Sequence, residues 1–234
     1  MNYSLVIPIF NEGNLLNDLI EDLKVLNEKI EVIIVDDGSY DETPKILKNV
    51  KNYTIVTNNR NSGKGVAIKN GVKIAKNKNI ILFDGDLEIR TELIPKLIQS
   101  YEKNNYLPIT GIRWGKKENL NFNLNRIGNY FINSFFNIIY QTNFNDVLCC
   151  VKIIDKQLLN KLELKSDGFD IEVEIMAKLV NKNIMIKEAY VSYDRRTIQE
   201  GKKLKFSDSL KIFKTIIIEK ISKNNIKFEK ETKP

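Results

Sequence analysis

Two carboxylates one residue apart, Asp84 and Asp86 on either side of Gly85, close the apolar run Asn79-Ile80-Ile81-Leu82-Phe83. A run of that kind reads as a strand buried on both faces of a parallel sheet. The carboxyl end of such a strand is where open α/β sheets bind ligands. Hard oxygen donors at this spacing suit Mg²⁺ or Mn²⁺, ions that commonly hold substrate phosphates. Asp-Gly is also a frequent turn dipeptide, so the motif gains its meaning from its companions.

Three companions sit at other strand ends. Pro8-Ile9-Phe10-Asn11-Glu12 closes the first apolar run, and its carboxylate and amide can accept hydrogen bonds from a nucleotide's base or sugar, or Asn11 can cap the following helix. Val35-Asp36-Asp37-Gly38-Ser39 closes the second, followed by Asp41 and Thr43, either of which can cap a helix. Adjacent acids repel unless a cation or hydrogen-bond donor answers them, which favours a ligand role for Asp36 and Asp37. Asn61-Ser62-Gly63-Lys64-Gly65 opens a helix; its glycines let the backbone approach a ligand, and Lys64 can meet phosphate charge. It is not a P-loop, because Gly65 stands where Ser or Thr is required. No G-x-G-x-x-G follows the first strand, which disfavours a dinucleotide oxidoreductase.

The elements that position these residues follow from apolar periodicity. Strands are expected near 3–9, 31–36, 53–57 and 79–84, and helices near 13–27, 42–50, 64–76 and 91–103. This alternation predicts a mostly parallel sheet flanked by helices. Farther on, a strand near 107–113, an aromatic-rich helix over 122–143, helices near 155–162 and 169–181 and a strand near 184–193 are expected. A final helix over 207–222 carries Leu210, Phe213, Ile217 and Ile221 on one side and lysines elsewhere, a basic amphipathic pattern, with a polar frayed tail after it.

Composition narrows the chemistry. The 234 residues contain no histidine, so His-based catalysis and zinc sites are disfavoured. The two cysteines, Cys149 and Cys150, are adjacent and cannot form an unstrained disulfide with each other. The formal charge is +7, with lysines concentrated after Lys202, which favours an anionic membrane surface; no nucleic acid partner is expected. No apolar run is long enough to span a bilayer and no signal peptide is evident, so a cytoplasmic protein, peripheral on the inner face of the membrane, is expected.

Four such motifs at successive strand ends, in this order, resemble the family 2 glycosyltransferases of GT-A fold, and within them the dolichyl- or polyprenyl-phosphate hexose synthases. The resemblance implies a GT-A domain over 1–205, with a nucleotide-sugar-binding half (1–113) and an acceptor half (114–205), and a basic amphipathic helix and tail over 206–234. It implies that Pro8, Phe10, Glu12, Asp36, Asp37 and Lys64 contact the nucleotide sugar, together with Asp84-Gly85-Asp86. Asp84 and Asp86 match the family's metal-binding D-x-D, and Glu88 falls at the place of a third ligand. Arg113, Arg126 and either Arg195 or Arg196 resemble arginines that meet phosphate, a task suited to the planar guanidinium fork. Asp146 matches the acid of a D-x-T/S-x-G-F-like motif, although Leu148-Cys149-Cys150-Val151 departs from it. Gly168 to Glu174 resembles a Gly-Phe…Glu segment in which Asp170 and Glu172 can also simply face solvent. Glu188 to Tyr193 resembles an E-x-P-x-x-Y stretch with Tyr190 in place of proline.

The implied reaction is an inverting, Mg²⁺- or Mn²⁺-dependent transfer of a hexose to dolichyl or polyprenyl phosphate. GDP-mannose is the first choice of donor, with UDP-glucose or a UDP-N-acetylhexosamine next. The implied setting is N-glycan or cell-surface polymer assembly. Two alternatives stand beside it: transfer to a sugar hydroxyl of a glycolipid or polysaccharide, with Asp146 or Asp170 as base, and a non-catalytic nucleotide-sugar-binding membrane module.

Overall fold

The computed structural model describes residues 3–26, 30–113, 124–194 and 206–231. Seven strands form one sheet in the order β3-β2-β1-β4-β6-β5-β7. The strands are β1 (Tyr3–Ile9), β2 (Ile30–Asp36), β3 (Thr54–Thr57), β4 (Asn79–Leu82), β5 (Ile109–Ile112), β6 (Lys152–Asp155) and β7 (Lys187–Tyr190). The helices are α1 (Leu16–Leu23), α2 (Thr43–Leu47), α3 (Lys64–Ile74), α4 (Ile94–Lys103), α5 (Leu124–Tyr140), α6 (Lys156–Lys161), α7 (Ile171–Asn181) and α8 (Phe206–Glu231). β1 pairs in parallel with β2 and β4, and β2 with β3. β6 runs antiparallel to both its neighbours, β4 and β5, while β5 and β7 pair in parallel.

The sheet is covered on both sides. Tyr3, Leu5, Ile7 and Ile9 of β1 pack with Leu16, Leu19 and Leu23 of α1 and Ile94, Leu97 and Ile98 of α4. Val6, Ile33 and Val35 face the other way, onto Ala67, Ile68 and Val72 of α3 and Ile171 and Ile175 of α7. Strands apolar on both faces need such cover, and this is why the alternation of strand and helix is legible. A third cluster joins Ile132, Phe136 and Tyr140 of α5 to Val173 and Met176 of α7 and Ile212 and Ile216 of α8.

Several expectations are corrected. β6 was not foreseen: its Lys152 reads as a surface charge, yet it is 1% exposed. Helix α6 begins at Lys156, and Asp155 caps it, accepting from the Leu158 amide at 3.0 Å. Asn11 does not cap α1. Its φ is +49°, and its side chain accepts from the Tyr40 amide at 3.0 Å instead. Helix α8 continues to Glu231, past the expected end. Its buried side is Ile212 and Ile216, whereas Leu210, Ile217 and Ile221, placed together with Phe213 on one apolar side, are exposed.

Burial of three phenols has a consequence at high pH. Burial and the Glu102 carboxylate, 3.0 Å away, push the Tyr3 hydroxyl above its ordinary 10.0. Burial likewise raises Tyr101 and Tyr140. A group whose folded pKa exceeds its unfolded value stabilises fully below the unfolded pKa and loses that contribution as pH rises above it. Melting temperatures should therefore fall as pH climbs past about 10. Between pH 8 and 11 the fall should be shallower in a Tyr3→Phe/Tyr101→Phe variant, which melts lower at pH 8 but has two fewer phenols to ionise.

Candidate active site

The carboxyl ends of β1, β2 and β4 share one rim, and loops from that rim hold one another. The Ser39 hydroxyl accepts from the Asn11 amide at 2.8 Å, Asp41 from the Gly13 amide at 2.9 Å, and the Thr43 hydroxyl from the Glu12 amide at 3.0 Å. Burial alone would raise the Asp41 carboxyl, but hydrogen bonds from Thr43 and Gly13 win and lower it. The Phe10 and Tyr40 rings meet edge to face at 5.8 Å, with Tyr40 83% exposed at the rim.

The two adjacent acids have different surroundings. Asp37 accepts from the Asn58 side chain at 2.7 Å and from the Ser62 and Gly63 amides at 3.1 and 2.7 Å, so it holds the loop before α3. Asp36 accepts from the Ser39 amide at 3.0 Å through one oxygen, while its other oxygen is buried without a partner. A buried acceptor in that state is costly, and a nucleobase N–H or ribose hydroxyl would satisfy it.

The glycines around Lys64 have a reason the sequence did not show. A Cβ on Gly63 would lie 2.2 Å from the Asp167 carbonyl oxygen, and one on Gly65 would lie 2.3 Å from that of Ser166. The chain's own 166–168 segment is what approaches the α3 N-terminus, and the Asp167 carbonyl accepts from the Gly65 amide at 2.8 Å. Lys64 is thereby set among anions. Its ammonium lies 2.7 and 2.8 Å from the two oxygens of Asp84 and 2.8 Å from Glu172. Burial alone would lower the Lys64 pKa, but Asp84 and Glu172 outweigh it and hold it well above the ordinary lysine value.

Asp84 and Asp86 are both half-buried. Gly85 between them lies so close to β1 that a Cβ would meet Ile9 at 2.6 Å and Ile7 at 3.0 Å. Farther along, the buried Thr91 donates its amide to Asp22 at 2.9 Å and its hydroxyl to the Asp22 carbonyl at 2.6 Å, so the carboxylate loop is fixed at both ends. The two carboxylates suit a hard divalent ion, and a cation, the Lys64 ammonium, already rests on Asp84. Glu88 is not gathered with them: among the described residues no three acidic, cysteine or histidine side chains converge as a metal cluster. Its carboxylate instead accepts from the Tyr193 hydroxyl at 2.9 Å.

Beyond the carboxylate loop, Arg113 follows β5 and makes a two-pronged pair with Asp146, at 2.8 and 2.9 Å. Burial would lower the Arg113 pKa, but Asp146 overrides it. The guanidinium also lies 5.5 Å from the Tyr193 ring centroid. Asp170 accepts from the Thr215 hydroxyl at 2.9 Å, and Glu172, for which sequence left open a solvent-facing position, is 3% exposed. The neighbouring Cys149 thiol and burial hold the Cys150 thiol well above its ordinary value, so it stays protonated. The side chain of Arg126, on the first turn of α5, and the whole of Arg195 and Arg196 lie outside the described residues.

Carboxylates stand at the ends of β2 and β4 on a mostly parallel sheet, and a family match and structural neighbours identify that sheet as the GT-A fold of glycosyltransferases. The chain belongs to Glycosyl transferase family 2, whose profile matches residues 4–162. Protein MJ0544 of Methanocaldococcus jannaschii is 35% identical over 204 residues, covering 81% of this chain and 86% of that one. A dolichyl-phosphate beta-glucosyltransferase of Dictyostelium discoideum is 27% identical, covering 92% and 72%. A dodecaprenyl-phosphate galacturonate synthase of Rhizobium johnstonii is 28% identical over 71% of this chain, and the match spans only 52% of that protein. In fold, the chain superposes on glucosyl-3-phosphoglycerate synthase of Mycobacterium tuberculosis with a TM-score of 0.74 at 16% identity, covering 93% of this chain and 79% of that one.

Asp146 is 2% exposed and Arg113 is 13% exposed in its side chain. Removing one partner of so enclosed a pair leaves an uncompensated charge, at a cost of about 3–5 kcal/mol. Asp146→Ala should therefore lower Tm by roughly 10 °C, read by thermal melting.

Proposed function

We propose that this enzyme transfers a hexose, with inversion, from a nucleoside diphosphate sugar to a polyprenyl or dolichyl phosphate at a membrane surface. The observation that carries the choice of acceptor is the engagement of the carboxylates. A sugar hydroxyl needs a base to take its proton. Of the two acids placed for that task, Asp146 is locked to Arg113 and Asp170 is bonded to Thr215. A phosphate arrives already ionised and needs cations rather than a base, and Arg113 stands beside the rim. Two relatives named for polyprenyl or dolichyl phosphate, from Rhizobium and Dictyostelium, support the same reading.

For the donor, the unpartnered Asp36 oxygen and the Phe10–Tyr40 pair would receive the nucleoside. Asp84 and Asp86 would hold Mg²⁺ or Mn²⁺, which when bound supplies electrophilic neutralisation of the departing diphosphate. The Mycobacterium tuberculosis neighbour was solved with Mn²⁺ and UDP. Lys64 would add its ammonium to the diphosphate. Arg113 would orient the acceptor phosphate, whose oxygen attacks the anomeric carbon as the bond to the diphosphate breaks; no proton needs to move. GDP-mannose and UDP-glucose are the donors to try first.

Purified protein supplied with labelled GDP-mannose, UDP-glucose and UDP-N-acetylhexosamines, Mn²⁺ and polyprenyl phosphate should transfer from one of them to the lipid. Asp84→Asn and Asp86→Asn should each cut that rate by about 100-fold or more. Transfer to a glycan hydroxyl with the lipid phosphate inert would overturn the acceptor assignment.

Among the described residues no helix is long and apolar enough to cross a membrane. Ile127, Tyr130, Phe131 and Ile138 of α5 and Leu210, Ile217, Ile218 and Ile221 of α8 nevertheless face solvent. α5 and α8 pack together, with Phe135 and Phe213 in ring contact at 5.1 Å. Lys211 and Lys214 are exposed on the same helix as the α8 residues. An apolar helix face carrying lysines suits an anionic bilayer surface. The protein should float with vesicles containing phosphatidylglycerol and not with neutral ones at equal salt, and Ile217→Asp/Ile218→Asp should abolish flotation without lowering Tm.

A further inference from the structure

Lys152 is a lysine where a sheet interior has no use for one. It lies on the one strand reversed among the described residues, opposite Leu82 of β4 and Thr110 of β5, and is 1% exposed. Its ammonium donates to the Cys149 carbonyl and to one oxygen of Glu172. The other oxygen of Glu172 lies 2.8 Å from Lys64, and Lys64 in turn holds both oxygens of Asp84. Four charges of alternating sign therefore run from the sheet interior to the D-x-D carboxylates: Lys152, Glu172, Lys64, Asp84.

This chain has a consequence for ligand binding that rests on the function proposed above. A diphosphate and its divalent ion bring new claims on both ends of the Lys64–Asp84 contact. Asp84 must turn to the ion and Lys64 must turn to phosphate. Glu172 sits next to Lys64 with 4% of its side chain exposed, and a carboxylate so enclosed resists losing its counter-charge. With Lys152 present, Glu172 remains compensated when Lys64 leaves. Without it, Lys64 would be the only cation on Glu172 among the described residues and would be held there. We infer that Lys152 is a positioning residue: by compensating Glu172 from inside the sheet, it leaves Lys64 available to the donor's diphosphate.

The test is Lys152→Met, alone and with Glu172→Gln. UDP and GDP binding are measured by calorimetry in the presence of Mn²⁺, alongside donor KM and kcat and thermal melting. Lys152→Met should weaken nucleoside diphosphate binding and raise donor KM by about tenfold, with kcat changed less than about threefold. The double variant, which removes both inner charges together, should bring affinity back to within about threefold of wild type. A merely structural lysine would not show that rescue. Unchanged nucleotide binding in Lys152→Met, or equal losses in the single and double variants, would overturn the inference. If Lys152→Met does not fold, the double variant carries the test: wild-type affinity supports the role and a tenfold loss refutes it. Wild-type protein that binds neither UDP nor GDP would instead overturn the donor-site reading itself, and this inference with it.

Discussion

A strand end that gathers carboxylates for a ligand must remain stable before the ligand arrives. Here the contact between Lys64 and Asp84 meets that requirement. Repulsion between Asp84 and Asp86 is relieved by an ammonium that enters from α3, and α3 can bring it there only because the 166–168 segment seats on glycines at that helix's start. The site is thus built from three distant stretches of chain: the end of β4, the start of α3 and the turn leading into α7. Any of them displaced would change the charge presented at the end of β4.

The end of β5 repeats the solution with different chemistry. Arg113 is matched to Asp146 through two hydrogen bonds, and Tyr193 bridges toward Glu88. A guanidinium keeps its charge under all ordinary conditions and presents a fixed fork. Pairing it with a buried carboxylate pre-sets its orientation, so little freedom would remain to be lost on binding any partner. The cost is that Asp146 is no longer a free base.

Much of the first half was legible because each strand there is apolar on both faces and ends in polar residues that the interior would not accept. Asp84, Asp86 and Asp36 stood out by that contrast. What sequence could not show was which cation answers which anion. Lys152 and Glu172 look like surface residues in any reading that counts charge as exposure, and β6 was missed for the same reason. The glycines flanking Lys64 suggested room for a ligand, and the group that approaches them in this structure is the protein's own 166–168 backbone. On α8 the apolar residues were visible and their phase was not, because two isoleucine stripes compete and only packing against α5 and α7 decides between them.

The seat of the 166–168 segment on α3 also bears on where this chain could be divided. The match to the family model ends at Leu162, just short of the carbonyl that closes the α3 start and of Glu172 beyond it. A fragment cut at that boundary would hold every strand-end acid and still lack the cover over two glycines and the counter-charge to two lysines. The 166–168 turn is thus part of what the start of α3 packs against, and a fragment ending at Leu162 would leave that helix start uncovered.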